Sequence, residues 1–240
     1  MSFSQIKPVN LHEEVVGQIR TAIIEGRLKP NDHIVESALT QQLGVSRTPV
    51  REALIMLEQD GLVVSYPHRG SFVRNFTVND VREIFSMRTT LENFAGELII
   101  ETLTEEDYKH LNALIERQQS AISAADFRTV RSLDMNFHQY IVTKSDHRLL
   151  IRNWEQIVAQ IAAVLYIRAE AIPDYDEFLA IRDHKLIYEA YRQRDLNALF
   201  SVNRRINQRV AGECEFALNH REQKFDTPSE AKTGKTDAEA

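Results

Sequence analysis

Apolar residues along the chain recur with two different periods, and the change of period marks out the elements. From Leu11 to about Glu25 they fall at Leu11, Val15, Ile19, Ala22 and Ile23, the spacing of an amphipathic helix, which Gly26 ends. A shorter apolar segment, Ala38, Leu39 and Leu43, stops at Gly44, a residue suited to a helix C-cap. Val50, Ala53, Leu54 and Leu57 then recur at i, i+3, i+4 and i+7, so a further helix buries one face. Pro49 fits only the first turn of that helix, where its missing N–H would have no partner anyway, and Ser46 or Thr48 can cap it. At about 100° per residue, Arg47, Thr48 and Arg51 lie on the opposite face, near the electropositive end. Leu62–Tyr66 and Ser71–Arg74 read as strands, joined by the turn residues Pro67, His68, Arg69 and Gly70. His33-Ile34-Val35 is a candidate short strand pairing with this hairpin.

After Arg74-Asn75-Phe76-Thr77 the pattern is helical throughout. Thr77 is a plausible cap for a helix over about 78–100, and Thr104 with its acidic first turn opens one over about 104–123. Further helices are expected over about 126–143 and 147–169, then from Pro173-Asp174-Tyr175 to about Arg192, and from the cap Asp195 to about His220. Six antiparallel helices with short connections make a bundle. The fold class expected is therefore mainly α, with a winged helix-turn-helix domain over 1–75 and an all-helical bundle over 76–221. Residues 222–240 are polar and are expected to form a disordered tail, and residues 1–8 a loose arm. No Gly/Ser-rich linker intervenes, so the two domains are expected to touch.

Two short helices joined by a Gly-containing turn, the second carrying exposed arginines, form a helix-turn-helix; a hairpin with a cationic tip makes it winged. Such a unit can set its second helix in a major groove while the wing reaches phosphate or the adjacent minor groove. The alternative is a surface helix with solvated arginines, but cap, proline, glycine stop and wing all favour DNA. The net charge of −6 by itself opposes a nucleic-acid partner. In residues 1–75, however, Lys and Arg balance Asp and Glu, so the excess acid belongs to the bundle. A local basic face suffices for phosphate contact, with modest non-specific affinity. Cys214 stands alone and cannot form an internal disulfide; together with the absence of a signal-like N-terminal segment this predicts a cytoplasmic protein. The most apolar run, Ile157–Ile167, is too short to span a bilayer, so no membrane partner is expected.

The run Leu43-Gly-Val-Ser-Arg-Thr-Pro-Val-Arg-Glu-Ala-Leu54, followed by Gly61-Leu62-Val63 and Arg69-Gly70-Ser71-Phe72-Val73, resembles the DNA-binding domain of GntR-family transcription regulators. Glu36 sits where that family often has a glutamate just before the first helix of the motif. On this reading Arg47 and Arg51 contact guanine or phosphate, assisted by Thr48 and the wing residues His68, Arg69 and Gly70.

In the bundle, Asp134 and His138 lie at i and i+4 and point the same way, the geometry one helix needs to offer two ligands to one metal. His184 lies close to the core face set by Ile181, Ile187 and Tyr188. Arg88 falls within the apolar stripe of its helix, where an unpaired cation is costly and a carboxylate is needed, from protein or ligand. The plainer reading pairs Asp134 with Arg88 or His138 and leaves His184 a hydrogen-bonded core histidine. The helical half resembles the FCD effector domain of the FadR subfamily, its six helices being similar to the VanR-like branch. That resemblance implies that Arg88, in Arg-x-x-Leu-Glu, faces the effector, and that Asp134, His138 and His184 are three of four metal ligands. The fourth, a histidine near 203–207, is missing: Ile206 takes the inward slot and Asn203 lies one turn away. Three ligands can still hold Zn²⁺, Ni²⁺ or Mn²⁺; the rival is a metal-free pocket in which Arg88 and the histidines bind an organic acid.

These features predict a homodimeric, ligand-responsive regulator, more a repressor than an activator, reading a palindromic operator under control of a small carboxylate held by Arg88, Asp134, His138, His184 and Asn203. Two other classes compete. One is an enzyme with a catalytic metal on Asp134, His138 and His184, for which no nucleophile motif or obvious general base is found. The other is a constitutive architectural binder, which requires a fully apolar bundle interior.

Overall fold

The structure is a computed structural model that describes residues 11–225, with side chains to 220. Helix α1 (Leu11–Ile24) buries Val15, Val16, Ile19, Ala22 and Ile23 against the domain core. Strand β1 (His33–Ile34) precedes α2 (Glu36–Leu43), which stops at Gly44 in the left-handed region, φ 65°, its N–H bonded to the Thr40 carbonyl. Glu36 is thus the first residue of α2 rather than a residue before it. In α3 (Arg47–Gln59) the cap position belongs to Ser46, in extended backbone, but its hydroxyl makes no capping bond. Pro49 occupies the first turn as expected, and Val50, Ala53, Leu54 and Leu57 are buried. Val50, Leu54 and Leu57 each contribute roughly 1.5–3 kcal/mol by leaving water, which is what holds α3 on α1.

Strands β2 (Val63–Tyr66) and β3 (Gly70–Val73) form the hairpin, and β1 adds to its far edge in the antiparallel order β1-β3-β2. Phe72 is the hub: it faces His33 across one ladder and Val64 across the other.

The bundle comprises α4 (Val78–Ile99), α5 (Glu105–Ser123), α6 (Phe127–Lys144), α7 (Arg148–Ala171), α8 (Phe178–Arg192) and α9 (Leu196–Phe225). Thr77 with Asp80 and Thr104 with Asp107 build reciprocal capping boxes at α4 and α5. Asp126 caps α6, the His147 ring nitrogen accepts from the Leu150 N–H at α7, and Asp195 accepts from the Ala198 N–H at α9. One start differs from expectation: α8 begins at Phe178, not at Pro173. Tyr175 packs under the Arg168 guanidinium, 4.1 Å from its ring centre, and bonds Arg209, so the segment after α7 is held against the bundle instead of entering a helix. Helix α9 also runs past the expected end, to Phe225. The expected loose arm lies outside the described residues, as does the expected tail beyond 225. Among the described residues no helix is long and apolar enough to cross a membrane. Cys214 is buried, and burial pushes its thiol up to about 12.

The two halves meet along a continuous seam. Arg74, after β3, pairs with Asp80 of the α4 cap and reaches Gln160 of α7 at 3.3 Å. Glu25 pairs with Arg128 of α6 at 2.9 Å. Gly26, at φ 67°, lies so close to Tyr166 of α7 that a Cβ would stand 2.4 Å from its ring.

Candidate functional site

The first candidate surface is the exposed end of α3. Arg47, Thr48 and Arg51 are all exposed, while the opposite face is buried. The Arg51 Nε donates to Glu36 at 2.8 Å, yet its side chain remains 62% exposed, so Glu36 orients the guanidinium without burying it. At the wing tip His68 and Gly70 have φ of 61° and 87°, which turns the hairpin and presents Arg69. The Arg69 guanidinium lies over Tyr66 and Phe72, 5.5 and 6.0 Å from their ring centres. His33 stacks on Phe72 at 4.8 Å and abuts Gly70, where a Cβ would meet its Nε2 at 2.8 Å. Sequence reasoning passed over His33 and Tyr66; the cross-strand pairing of a short third strand was the only available signal.

The second candidate is a cavity of about 70 Å³ inside the bundle, against the ~10–15 Å³ that one water needs. Arg88, Asp134, His138 and His184 all line it. Asn203 does not: it is buried, but its amide donates to Asn93 at 2.9 Å, and α9 presents Ile206, Arg209 and Val210 to the cavity instead. Asn203 shares a helix face with Val210 but lies two turns before it, about 10 Å along α9, which sets it beyond the cavity and against Asn93 of α4.

Hydrogen-bond roles within the site can be fixed one by one. Arg88 is 3% exposed and its Nε donates to Glu92 at 2.9 Å. Glu92 also takes the His138 Nδ1 at 2.8 Å and the Asn207 amide at 3.0 Å. Burial raises the Glu92 carboxyl, but Arg88 and then His138 outweigh it and hold the group well below the usual range. Glu92 is therefore an acceptor only, and His138 carries its proton on Nδ1. Gln118 points its amide nitrogen at the Val130 carbonyl and Asp134, at 3.4 and 3.5 Å, so its oxygen faces the His184 Nδ1 at 2.9 Å. That makes the His184 Nδ1 a donor too. The two Nε2 lone pairs then face each other at 3.2 Å, with an Asp134 oxygen 3.3 Å from the His184 Nε2. Burial raises the Asp134 carboxyl, but its polar neighbours, His184 first and then His138 and Arg88, more than reverse this, so it too is an acceptor.

Three acceptors converge with no hydrogen between them, and their ligand atoms lie within 4.8 Å of one another. A tetrahedral ion with bonds of 2.0–2.1 Å sets its ligand atoms about 3.3 Å apart, so the residues fit a divalent cation. Gln118 and Glu92 supply the outer hydrogen bonds that fix each imidazole tautomer. The carboxylate partner of Arg88 and His138 is thus Glu92, not Asp134. Glu92 stands at i+4 from Arg88, so this pair was legible. Gln118 sits in the apolar stripe of α5, a position that asks for a buried partner. Arg88 keeps a second capacity: among the described residues neither Nη has a protein partner, and the side chain lines the cavity.

Comparison with known proteins bears on both candidates. The model described as bacterial regulatory proteins, gntR family, matches residues 11–73, and that of the FCD domain matches residues 83–208. The uncharacterized HTH-type transcriptional regulator YdhC of Bacillus subtilis is 30% identical over 82% of this chain and 87% of its own. The HTH-type transcriptional repressor RspR of Escherichia coli is 27% identical over 93% and 95%. Among solved structures, McbR/YncC of E. coli superposes with a TM-score of 0.73 at 25% identity, covering 91% of this chain and all of that one.

Proposed function

Since the chain belongs to the GntR family, as a winged-helix transcription regulator with an FCD domain, we propose that it is a repressor whose affinity for a palindromic operator is set by a small carboxylate in the bundle cavity. The family and the relatives named above are regulators of transcription, and none of them favours the enzyme reading. The repressor sense follows RspR, a transcriptional repressor. The winged-helix unit is taken to be residues 1–75 and the effector unit 76–221. A DNA partner supports a cytoplasmic location.

The observation that carries the effector reading is the pair of unpartnered Arg88 Nη atoms beside the three converging acceptors, in one cavity. A carboxylate can take a bidentate bond from those two nitrogens. Asp134, His138 and His184 would hold Zn²⁺, Ni²⁺ or Mn²⁺, whose open positions would accept the other carboxylate oxygen or water. On the DNA side, Arg47 and Arg51 reach base edges or phosphate, with Glu36 aiming Arg51, Thr48 at the helix start, and His68, Arg69 and Gly70 at the wing.

One recognition helix reads too few base pairs for a genome, which calls for a homodimer. The outer face of α4 exposes Met87, Phe94 and Leu98, and Leu149 at the start of α7 is 60% exposed, with the Phe94 ring 5.3 Å from that of His147. This apolar face is the proposed dimer contact, and light scattering checks the mass.

Two measurements test the proposal. Element analysis of purified protein should find about one divalent ion per chain before chelation and none after it. Operator titrations in the presence of small carboxylates should find at least one that shifts the apparent affinity about fivefold or more. A protein whose operator affinity no carboxylate alters, with or without metal, would be a constitutive binder.

A further inference from the structure

The cavity has a second polar region, which the carboxylate-binding groups leave unused. On α6, Arg131 lies seven residues before His138; on α8, Glu177 lies seven residues before His184. Both steps are about 10 Å along a helix rising 1.5 Å per residue, and both residues line the same cavity. Arg131 rests against the Tyr166 ring at 5.7 Å and has no hydrogen bond or ion pair among the described residues. Glu177 stands at the N-cap position of α8, but its side chain does not cap the helix and makes no hydrogen bond or ion pair among the described residues; Arg168 and Arg131 are its cationic neighbours. Arg168, from α7, pairs with Glu213 at 3.1 Å and lies on Tyr175, which leaves its Nε buried without a partner.

The charges in this region cancel. Arg131 offsets Glu177, while Arg168 and Arg209 offset Glu213 and Asp183. A second carboxylate here would meet Glu177 with no surplus cation to receive it. A methyl group would leave Glu177 and Arg131 without hydrogen-bond partners, each a cost once water is displaced. A hydroxyl matches both signs, since it can donate to Glu177 and accept from Arg131 or the Arg168 guanidinium.

We propose that Glu177, Arg131 and Arg168 form a second subsite that reads a hydroxyl on the effector, so that the ligand is a hydroxylated monocarboxylic acid anchored at Arg88. The inference rests on the proposed reading of Arg88 as the carboxylate anchor. It also assigns selectivity among acids to the segment that α8 fails to include, since the early turn at 173–177 is what brings Glu177 to the cavity.

The test uses 6-hydroxyhexanoate, hexanoate and adipate, which share chain length and differ only at the far end. Calorimetric titration of the purified full chain should show 6-hydroxyhexanoate binding about tenfold or more tighter than either of the others. Glu177→Ala should compress that preference to within about threefold, while Glu177→Gln, which keeps an acceptor, should retain part of it. Arg131→Leu, on a different helix, is expected to compress it likewise and serves if Glu177→Ala does not fold. Equal binding of the three acids, or a preference that survives Glu177→Ala or Arg131→Leu, overturns the subsite and leaves the Arg88 anchor standing. Binding of none of the three overturns the anchor and the subsite together.

Discussion

At Arg51 and at Arg88 the same side chain has different consequences because its surroundings differ. Arg51 is tethered to Glu36 but stays in water, so its guanidinium is held in place at little desolvation cost. Arg51→Ala should weaken specific operator binding by about 1–3 kcal/mol, with no change in the melting temperature; a fluorescence-anisotropy titration and a thermal melt read the two effects. Arg88 is enclosed with Glu92, and removing one member of a buried ion pair costs about 3–5 kcal/mol. Arg88→Ala should therefore lower stability as well as abolish the response to acid. The double change Arg88→Met with Glu92→Gln, which removes both charges and keeps an acceptor for His138 and Asn207, should recover part of the stability but none of the response. Calorimetric melts of the two variants separate these roles: a double variant as unstable as the single one would show that the ion pair is not the source of the loss.

At the scale of elements, the sequence was legible wherever a local rule decides the outcome. Thr77, Thr104, Asp126 and Asp195 begin their helices as a capping side chain should, and Gly44 ends α2 with the positive φ that a C-cap requires. Legibility failed where a long-range contact decided. The sequence pattern puts Tyr175 in α8, yet Arg168 and Arg209 hold it in a turn; it puts Asn203 at the cavity, yet Asn93 holds it elsewhere. No spacing rule within one segment reports a partner two helices away. The α5 cap combines both kinds of information. Burial raises the Asp107 carboxyl, but Lys144, Tyr140 and Thr104 outweigh it and hold the group well below the usual carboxylate range. A folded-state value below the unfolded one means that stability is fully present above about pH 4 and is lost as pH falls further. Asp107→Asn should accordingly melt lower than the parent at pH 7, with the difference shrinking as the pH drops below about 4. A gap that stays constant down to acid pH would place the effect in packing rather than in charge.

At the scale of the whole molecule, the two units share a wall. Ile24, the last residue of α1, lines the bundle cavity together with Met135 and Ala162, although α1 belongs to the DNA-binding half. Helix α1 packs directly on α3, so a ligand that touches Ile24 is one helix away from Arg47 and Arg51. The seam around that contact is tight: Glu25 is paired across it, and Gly26 has no room for a side chain against Tyr166. Allostery requires that the ligand make different contacts in two states, and Ile24 is the side chain on the DNA-binding side positioned to do so. Ile24→Ala should leave operator affinity in the absence of acid, and acid binding in the absence of DNA, each within about threefold. The coupling between them should fall toward unity. Because coupling is reciprocal, the same loss must appear when acid affinity is measured with and without operator. If Ile24→Ala protein still changed its operator affinity by the parental factor, the signal would have to cross the seam elsewhere, and the Arg74–Asp80 pair between β3 and α4 is the other ionic link positioned to carry it.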